Sequence, residues 1–229
     1  MKIQFIGCGK MGEVILQNLL EYEKKENIFI ETKTNKSKDN LKEKYGINIG
    51  INKNAEIIFL LTKPQQFEEL NFEIFGENKT YFSFIAGLSI ENIFKKTKST
   101  NLIRAMPNTP MLVGKGIIGY FYNLSIKKDS FSNIYIDFFI KLFSKNSKLI
   151  KCDTEDKIDK ITALSGSGPA YYYFIIEILE KKALEFGFSE IESEIIAENT
   201  FIGASHLLEK SGEKTVILRK NRLFLKSIR

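Results

Sequence analysis

MKIQFIGCGKMGEVILQNLL, residues 1–20, joins a strand, a turn and a helix in one segment. Ile3 to Ile6 is a short apolar run, Gly7-Cys8-Gly9-Lys10-Met11-Gly12 is a complete G-x-G-x-x-G, and Met11 to Leu20 has helical spacing. That context is the one in which the glycines hold a dinucleotide. Gly7 permits the tight turn, Gly9 lets the backbone approach a pyrophosphate, and Gly12 lets the helix pack closely on the sheet. The free N–H groups of the helix start favour the anion. Ile6, Gly7, Cys8, Gly9, Lys10, Met11 and Gly12 are therefore the first candidate cofactor-binding residues.

Working outward, the alternation of strands and helices continues. Ile28 to Thr32 is strand-like, Asp39 to Tyr45 polar and helical, and Ile57 to Leu61 a continuous apolar run of the kind covered on both faces. Tyr81 to Ile85 and Leu102 to Ala105 repeat the theme. Ile117 to Phe121 and Leu149 to Cys152 read as later strands, with a helix from Phe131 to Phe143 between them. The rhythm predicts a parallel sheet wrapped by helices. After about Thr154 only helical patterns remain: Asp156 to Ala163, Pro169 to Phe186 and Ile191 to Lys210. The expected organisation is an α/β Rossmann-type domain over residues 1–153 and an all-helical domain over 154–229.

Composition narrows the function. A chain of 229 residues with 43% hydrophobic content can bury a real core. No apolar run approaches the roughly 18 residues of a membrane span, and the N-terminus reads as strand and turn rather than signal peptide. The net charge of +6 is dispersed among glutamates with no basic stripe, so neither nucleic acid nor membrane is expected as a partner. The two cysteines, Cys8 and Cys152, have no metal-ligand spacing and suit a reduced, cytoplasmic setting as small buried residues. His206 is the only histidine, expected to be structural, and it excludes a multi-histidine metal site or a histidine-based triad.

Cofactor choice is read at the end of the second strand, about 20 residues after the glycines. There Glu31 could accept from ribose hydroxyls, as NAD requires, but it comes slightly early. Lys33, Thr34 and Lys36 offer positive charge and a hydroxyl for a 2′-phosphate. NADP is favoured, with NAD as the alternative.

A second segment, ALSGSGPAYYYF at 163–174, reads locally as a capped helix start. Pro169 suits the first helical position, Gly168 the cap, and Ser167 can aim a hydroxyl at free N–H groups. Ala170, Phe174, Ile178, Leu179, Ala183 and Phe186 form an apolar stripe, expected to be core, and Gly187 a stop. The turn holds more small residues than a cap requires, which leaves room for a ligand near the backbone.

Together these motifs resemble the pyrroline-5-carboxylate reductase family. The resemblance is carried by Gly7-Cys8-Gly9-Lys10-Met11-Gly12, Lys63-Pro64, Ala86-Gly87, Arg104-Ala105-Met106-Pro107-Asn108-Thr109-Pro110, and Asp159 through Tyr171, in order along the chain. It implies hydride transfer from NAD(P)H to the C=N carbon of 1-pyrroline-5-carboxylate, giving L-proline. It also implies a homodimer or higher oligomer intertwined through the helical domain, with each active site between the two domains. By position, Thr62, Lys63, Pro64, Ala86 and Gly87 would lie along the ribose and nicotinamide, and Thr34 matches a hydroxyl residue near the adenosine ribose. Thr162, Ser165 and Ser167 would line the substrate pocket, and Glu213 matches an acidic position near it. Tyr171 to Phe174 would lock their helix into the dimer core. No catalytic acid, base or metal is implied, because a protonated cyclic imine already accepts hydride and needs mainly alignment.

The chain departs from the family at two places. Between Gly46 and Ala55 it is shorter, so Asn52 and Asn54 both fit an asparagine contact. After Asn221 the family's Ser-Pro-Gly-Gly-Thr-Thr loop, which holds the substrate carboxylate, is replaced by Arg222-Leu223-Phe224-Leu225-Lys226-Ser227-Ile228-Arg229. The helical domain is thus expected to be truncated, and the alternative to an active reductase is a relative that only binds dinucleotide. A β-hydroxy-acid dehydrogenase would want a lysine with an asparagine one turn later, whereas Lys181 is followed by Glu185.

Overall fold

The structure, a computed structural model, describes residues 1–76, 78–122 and 133–223. It divides into two compact units, Met1–Gly168 and Pro169–Arg229.

The first unit is built on an eight-stranded sheet in the order β3-β2-β1-β4-β5-β6-β7-β8. Its strands are β1 (Ile3–Ile6), β2 (Ile28–Glu31), β3 (Asn48–Ile49), β4 (Ile57–Leu60), β5 (Thr80–Ser83), β6 (Asn101–Pro107), β7 (Gly116–Phe121) and β8 (Ser147–Lys151). Helices α1 (Lys10–Leu20), α2 (Asn35–Tyr45), α3 (Pro64–Phe67), α4 (Ile90–Thr97) and α5 (Asn133–Ser144) alternate with them. The order reverses between β1 and β4, both parallel to their neighbours, and this switch point is where doubly wound sheets open a crevice beyond their carboxyl ends.

The central strands are apolar on both faces. On β4, Ile57 and Phe59 face one core while Ile58 and Leu60 face the other; on β5, Phe82 and Tyr81 divide in the same way. The side-chain period of two thus reads as an unbroken apolar run in a doubly covered strand. One face carries a chain of rings: Phe5 stacks on Phe59 at 4.7 Å, Phe59 meets Phe82 edge-on at 5.2 Å, and Phe82 meets Phe139 of α5 at 5.4 Å. Each such pair adds about 0.5–1.5 kcal/mol beyond the area it buries.

Two expectations for the sheet and its flanking helices need correction. The sheet is not wholly parallel: β7 runs antiparallel to β6, because the short turn over Thr109–Val113 returns the chain directly instead of through a crossover helix. Helix α2 begins at Asn35 rather than at the expected Asp39, because the Thr34 hydroxyl caps it by accepting from the Ser37 N–H. The elements β3, α3 and α4 carried no expectation. Of the expected helix over 131–143, residues 131–132 lie outside the described residues.

After β8 come α6 (Asp156–Ile161) and a π-helical turn, Thr162–Gly166, which close the first unit. The serine–glycine segment does not break and restart a helix as the cap reading requires. Ser167 has right-handed helical angles (φ −85°, ψ −17°), and its N–H donates to the Thr162 carbonyl at 3.0 Å. The small residues are accommodated by widening the helix to an i→i+5 bond, a feature often found at functional sites.

The second unit is helical: most of α7 (Gly168–Glu185), then α8 (Glu190–Ser211) and α9 (Thr215–Leu223). Ser189 and Glu192 form a reciprocal capping box at the start of α8, and Gly187 (φ +92°) ends the turn after α7 as expected. The apolar stripe on α7 is not core within the single chain: Phe174, Ile178, Leu179 and Phe186 are exposed, Tyr173 by 66%, and Ala183 alone of the expected stripe is buried. His206 is exposed on α8. Of residues 222–229, which stand in place of the family loop, 224–229 lie outside the described residues.

Candidate functional site

The glycine turn leaves β1 and is held on both sides by backbone. The Gly7 N–H donates to the Glu31 carbonyl of β2 at 2.8 Å, and the Leu61 N–H donates to the Ile6 carbonyl at 2.9 Å. Gly7 has φ +86°, and a Cβ there would lie 2.9 Å from the Leu61 carbonyl and the Thr62 nitrogen. Only glycine fits the turn. At Gly12 a methyl would just touch Cys8 Sγ (3.4 Å) and Leu61 Cδ1 (3.5 Å), so helix and sheet are close without overlap.

Gly9 is different. Its backbone is extended, and a Cβ would meet nothing within 4 Å. The protein itself imposes no steric demand for glycine there, and the space beside it is open. Helix α1 starts at this point with no side-chain cap, whereas Thr34, Ser89 and Ser189 cap α2, α4 and α8. Its first-turn N–H groups are left for an anion. The exposed Lys10 opens that turn, while Met11 is half-buried against the core.

A cleft of about 260 Å³ lies at the switch point, lined by Ile6, Gly7, Glu31, Lys33, Thr62 and Leu70 among others. Thr62 Oγ1 is buried beside it with no hydrogen-bond partner among the described residues. A buried hydroxyl without a partner costs free energy, and a ligand edge in the cleft would satisfy it. A second cleft, of about 570 Å³, opens on the other side of the turn between Cys8 and Glu13 of the first strand–helix unit and Ser37, Leu41 and Lys44 of α2. Glu13 ties α1 to α2 by accepting from Lys44 Nζ at 2.5 Å and Tyr45 Oη at 2.6 Å, and these bonds hold its carboxyl below the usual range. Burial, with the Glu13 carboxylate as a lesser cause, pushes the Cys8 thiol up to about 12. That thiol is protonated and inert at neutral pH.

At the cofactor-choosing end of β2, Glu31 is paired with Lys38 of α2 at 2.5 Å, and Lys33 and Lys36 are exposed. The Thr34 hydroxyl is engaged in the α2 cap and with Ser37 Oγ at 2.8 Å. Lys63 and Pro64 open α3, and Ala86 and Gly87 (φ +71°) form an exposed turn after β5. All these positions stand at the carboxyl ends of parallel strands, so the structure gathers the candidate cofactor residues along one edge of the sheet. The turn, the open Gly9, the uncapped α1 and the orphaned Thr62 hydroxyl together fit a dinucleotide.

The candidate substrate residues are divided. Thr162 and Ser165 lie in the π turn, Ser167 just after it, and all three belong to the first unit; Glu213 lies exposed beyond α8 in the second. Sequence reasoning overlooked what holds the turn. Arg104 on β6 is 3% exposed and donates to Glu155 Oε1 at 2.9 Å and to Asp159 Oδ1 at 2.5 Å, anchoring α6. Asn108, at the end of β6, donates to Ser165 Oγ at 3.0 Å and to its carbonyl at 3.1 Å. Both residues lie in the Arg104–Pro110 motif, but nothing in its spacing marks them as partners of a turn more than fifty positions on. In the shortened Gly46–Ala55 segment, Asn52 Oδ1 accepts from the Asn54 N–H at 2.9 Å and so shapes its own loop.

Residues 155–223 match the family model described as pyrroline-5-carboxylate reductase dimerisation, and residues 2–86 that described as NADP oxidoreductase, coenzyme F420-dependent. A pyrroline-5-carboxylate reductase of Staphylococcus epidermidis is 30% identical over 96% of this chain and 84% of its own length. The chain belongs to the pyrroline-5-carboxylate reductase family. Its fold agrees with solved members. The Coxiella burnetii reductase superposes with a TM-score of 0.82 at 28% identity, covering 96% of this chain and 83% of that one. The Plasmodium falciparum reductase, solved with NADP bound, gives 0.77 at 26% identity over the same shares. Among the described residues no helix is long and apolar enough to cross a membrane, and no cluster of metal-ligating side chains occurs.

Proposed function

We propose that this protein is an NADPH-dependent oxidoreductase that reduces 1-pyrroline-5-carboxylate to L-proline and works as a homodimer. The observation that carries the reading is the relationship to the reductases, which runs through both units at 30% identity. NADPH, when bound, supplies the hydride for the C=N carbon. The chain's own residues bind and orient. Gly7 to Gly12 cradle the pyrophosphate, with Ile6 beside it, and Lys33 and Thr34 read the adenosine end. Thr62, Lys63, Pro64, Ala86 and Gly87 flank the ribose and nicotinamide. Thr162, Ser165 and Ser167 meet the substrate, and Glu213 takes the acidic position that the family resemblance implies. No side chain is assigned as acid or base, since a protonated imine needs alignment and a held carboxylate more than proton transfer. The homodimer is supported by the matched dimerisation model and by apolar residues exposed along α7 and α8, such as Tyr173, Phe174, Ile191 and Ile195.

The test is NADPH oxidation by the purified chain with and without 1-pyrroline-5-carboxylate. Substrate-dependent oxidation with formation of L-proline is expected. A second reading, dinucleotide binding with little turnover, is favoured by residues 222–229, which hold neither glycine nor proline for a carboxylate-binding loop. NADPH binding without substrate-dependent oxidation would select that reading.

A further inference from the structure

We propose that Asn108 is a positioning residue that fixes the Ser165 hydroxyl as a hydrogen-bond donor toward an anionic acceptor, the carboxylate of the substrate. This rests on the reading of the π turn as part of the substrate pocket. The hydrogen-bond network determines the orientation of the Asn108 amide uniquely. Asn108 is 7% exposed, and its Oδ1 accepts from the Ile117 N–H at 2.8 Å, a group that can only donate. Its Nδ2 meets the Ser165 carbonyl, which can only accept, at 3.1 Å. Flipping the amide would break both bonds. Nδ2 therefore also donates to Ser165 Oγ, at 3.0 Å.

A serine hydroxyl has one proton. With Asn108 filling a lone pair, that proton must point to a different acceptor. Other helical hydroxyls of this chain donate to the carbonyl one turn back: Thr97 to Ile93 at 2.9 Å, Thr162 to Ile158 at 2.8 Å, Ser205 to Phe201 at 3.0 Å. Ser165 makes no such bond among the described residues. Ser165 is only half-buried, so its outward proton is within reach of a ligand. An oriented donor suits an acceptor-only group, and a carboxylate fits best. Substrate binding would then not require the hydroxyl to turn round or to break a bond it already makes.

The experiment measures L-proline affinity in the presence of NADP, the KM for 1-pyrroline-5-carboxylate, and kcat. It uses the full-length chain and Asn108→Asp, Ser165→Ala, Asn108→Ala and the double alanine variant. Asn108→Asp turns the facing group into an acceptor and draws the serine proton inward. It should weaken L-proline and raise KM about tenfold or more, with NADPH affinity unchanged within about twofold. Ser165→Ala should give a similar loss. Adding Asn108→Ala to Ser165→Ala should cost little more, because Asn108 acts through the serine. Unchanged proline affinity in Asn108→Asp, or additive losses in the double variant, would overturn the proposal. If Asn108→Asp does not fold, Ser165→Ala alone carries the test, and unchanged affinity there overturns it. Failure of the unmodified chain to bind L-proline or reduce the imine would instead sink the substrate reading itself, and the inference with it.

Discussion

At the scale of single residues, two glycines of one turn have opposite reasons to be glycine. Gly7 is crowded by backbone and has positive φ, so Gly7→Ala should destabilise the fold by about 1–3 kcal/mol or more. Gly9→Val should leave the urea midpoint in place and abolish NADPH binding in a titration, since its side chain would enter open space. Retained NADPH affinity in Gly9→Val would remove the turn from the cofactor site. Cofactor choice is a matter of charge at the end of β2. Lys38 neutralises Glu31 there, and Lys33 is exposed beside the cleft. Lys33→Glu, or Lys38→Met to free the Glu31 carboxylate, should weaken NADPH relative to NADH by about tenfold, or 1.4 kcal/mol. Equal losses for both dinucleotides would show that neither lysine reads the 2′-phosphate. Cys8 gives a pH test. Its folded thiol ionises later than the unfolded one, whose ordinary value is 9.0, so the linked stability is intact below that value and is lost as pH climbs towards 12. Alkylation of the folded chain at pH 9.0 should be at least about 10²-fold slower than in urea.

Elements show where sequence reading succeeds and where it stops. The β1–α1 unit was legible because an apolar strand runs into a turn that only glycine can make at Gly7 and then into a helical pattern. The doubly covered strands were legible because both faces are apolar. The direction of β7 was not, because it depends on whether the Thr109–Val113 turn returns the chain, and turn direction leaves no periodic trace. Nor was the π turn, whose widened bond from Ser167 to Thr162 inserts a residue without changing the polar and apolar pattern. Of the candidate site, the proposed cofactor residues stand in local motifs. The turn that carries Thr162 and Ser165 depends on Arg104 and Asn108, on elements distant from it in sequence. The Arg104 network makes an unequal prediction. Glu155 both pairs with the buried guanidinium and accepts from the Ile90 N–H at 2.7 Å, while Asp159, more exposed, only pairs with the guanidinium. Glu155→Ala should therefore cost about 1–2 kcal/mol more than Asp159→Ala in urea unfolding. Equal costs would show that the cap on α4 contributes nothing.

The whole molecule is asymmetric in how its two units bury apolar surface. The Met1–Gly168 unit closes cores on both faces of its own sheet. The helices α7 and α8 present apolar residues around much of their circumference, a pattern suited to the inside of a larger bundle than one chain supplies. Phe174→Glu with Ile178→Glu should therefore convert a dimer into a monomer in sedimentation velocity, with NADPH binding to the first unit preserved. A dimer unaffected by both charges would place the interface elsewhere. The melting temperature of the unmodified chain should rise with protein concentration, as it does when folding and association are linked. The exposed faces of α7 and α8 also have a genetic consequence. A helix whose interior is completed by a second copy passes its faults to that copy. In a cell expressing one sound and one damaged allele, a lesion on α7 or α8 that still permits pairing would mix at random with intact subunits, impose its fault on half of them and be dominant. A lesion that abolishes pairing would leave the intact copies to each other and be recessive, as would a glycine-turn lesion felt only within its own subunit.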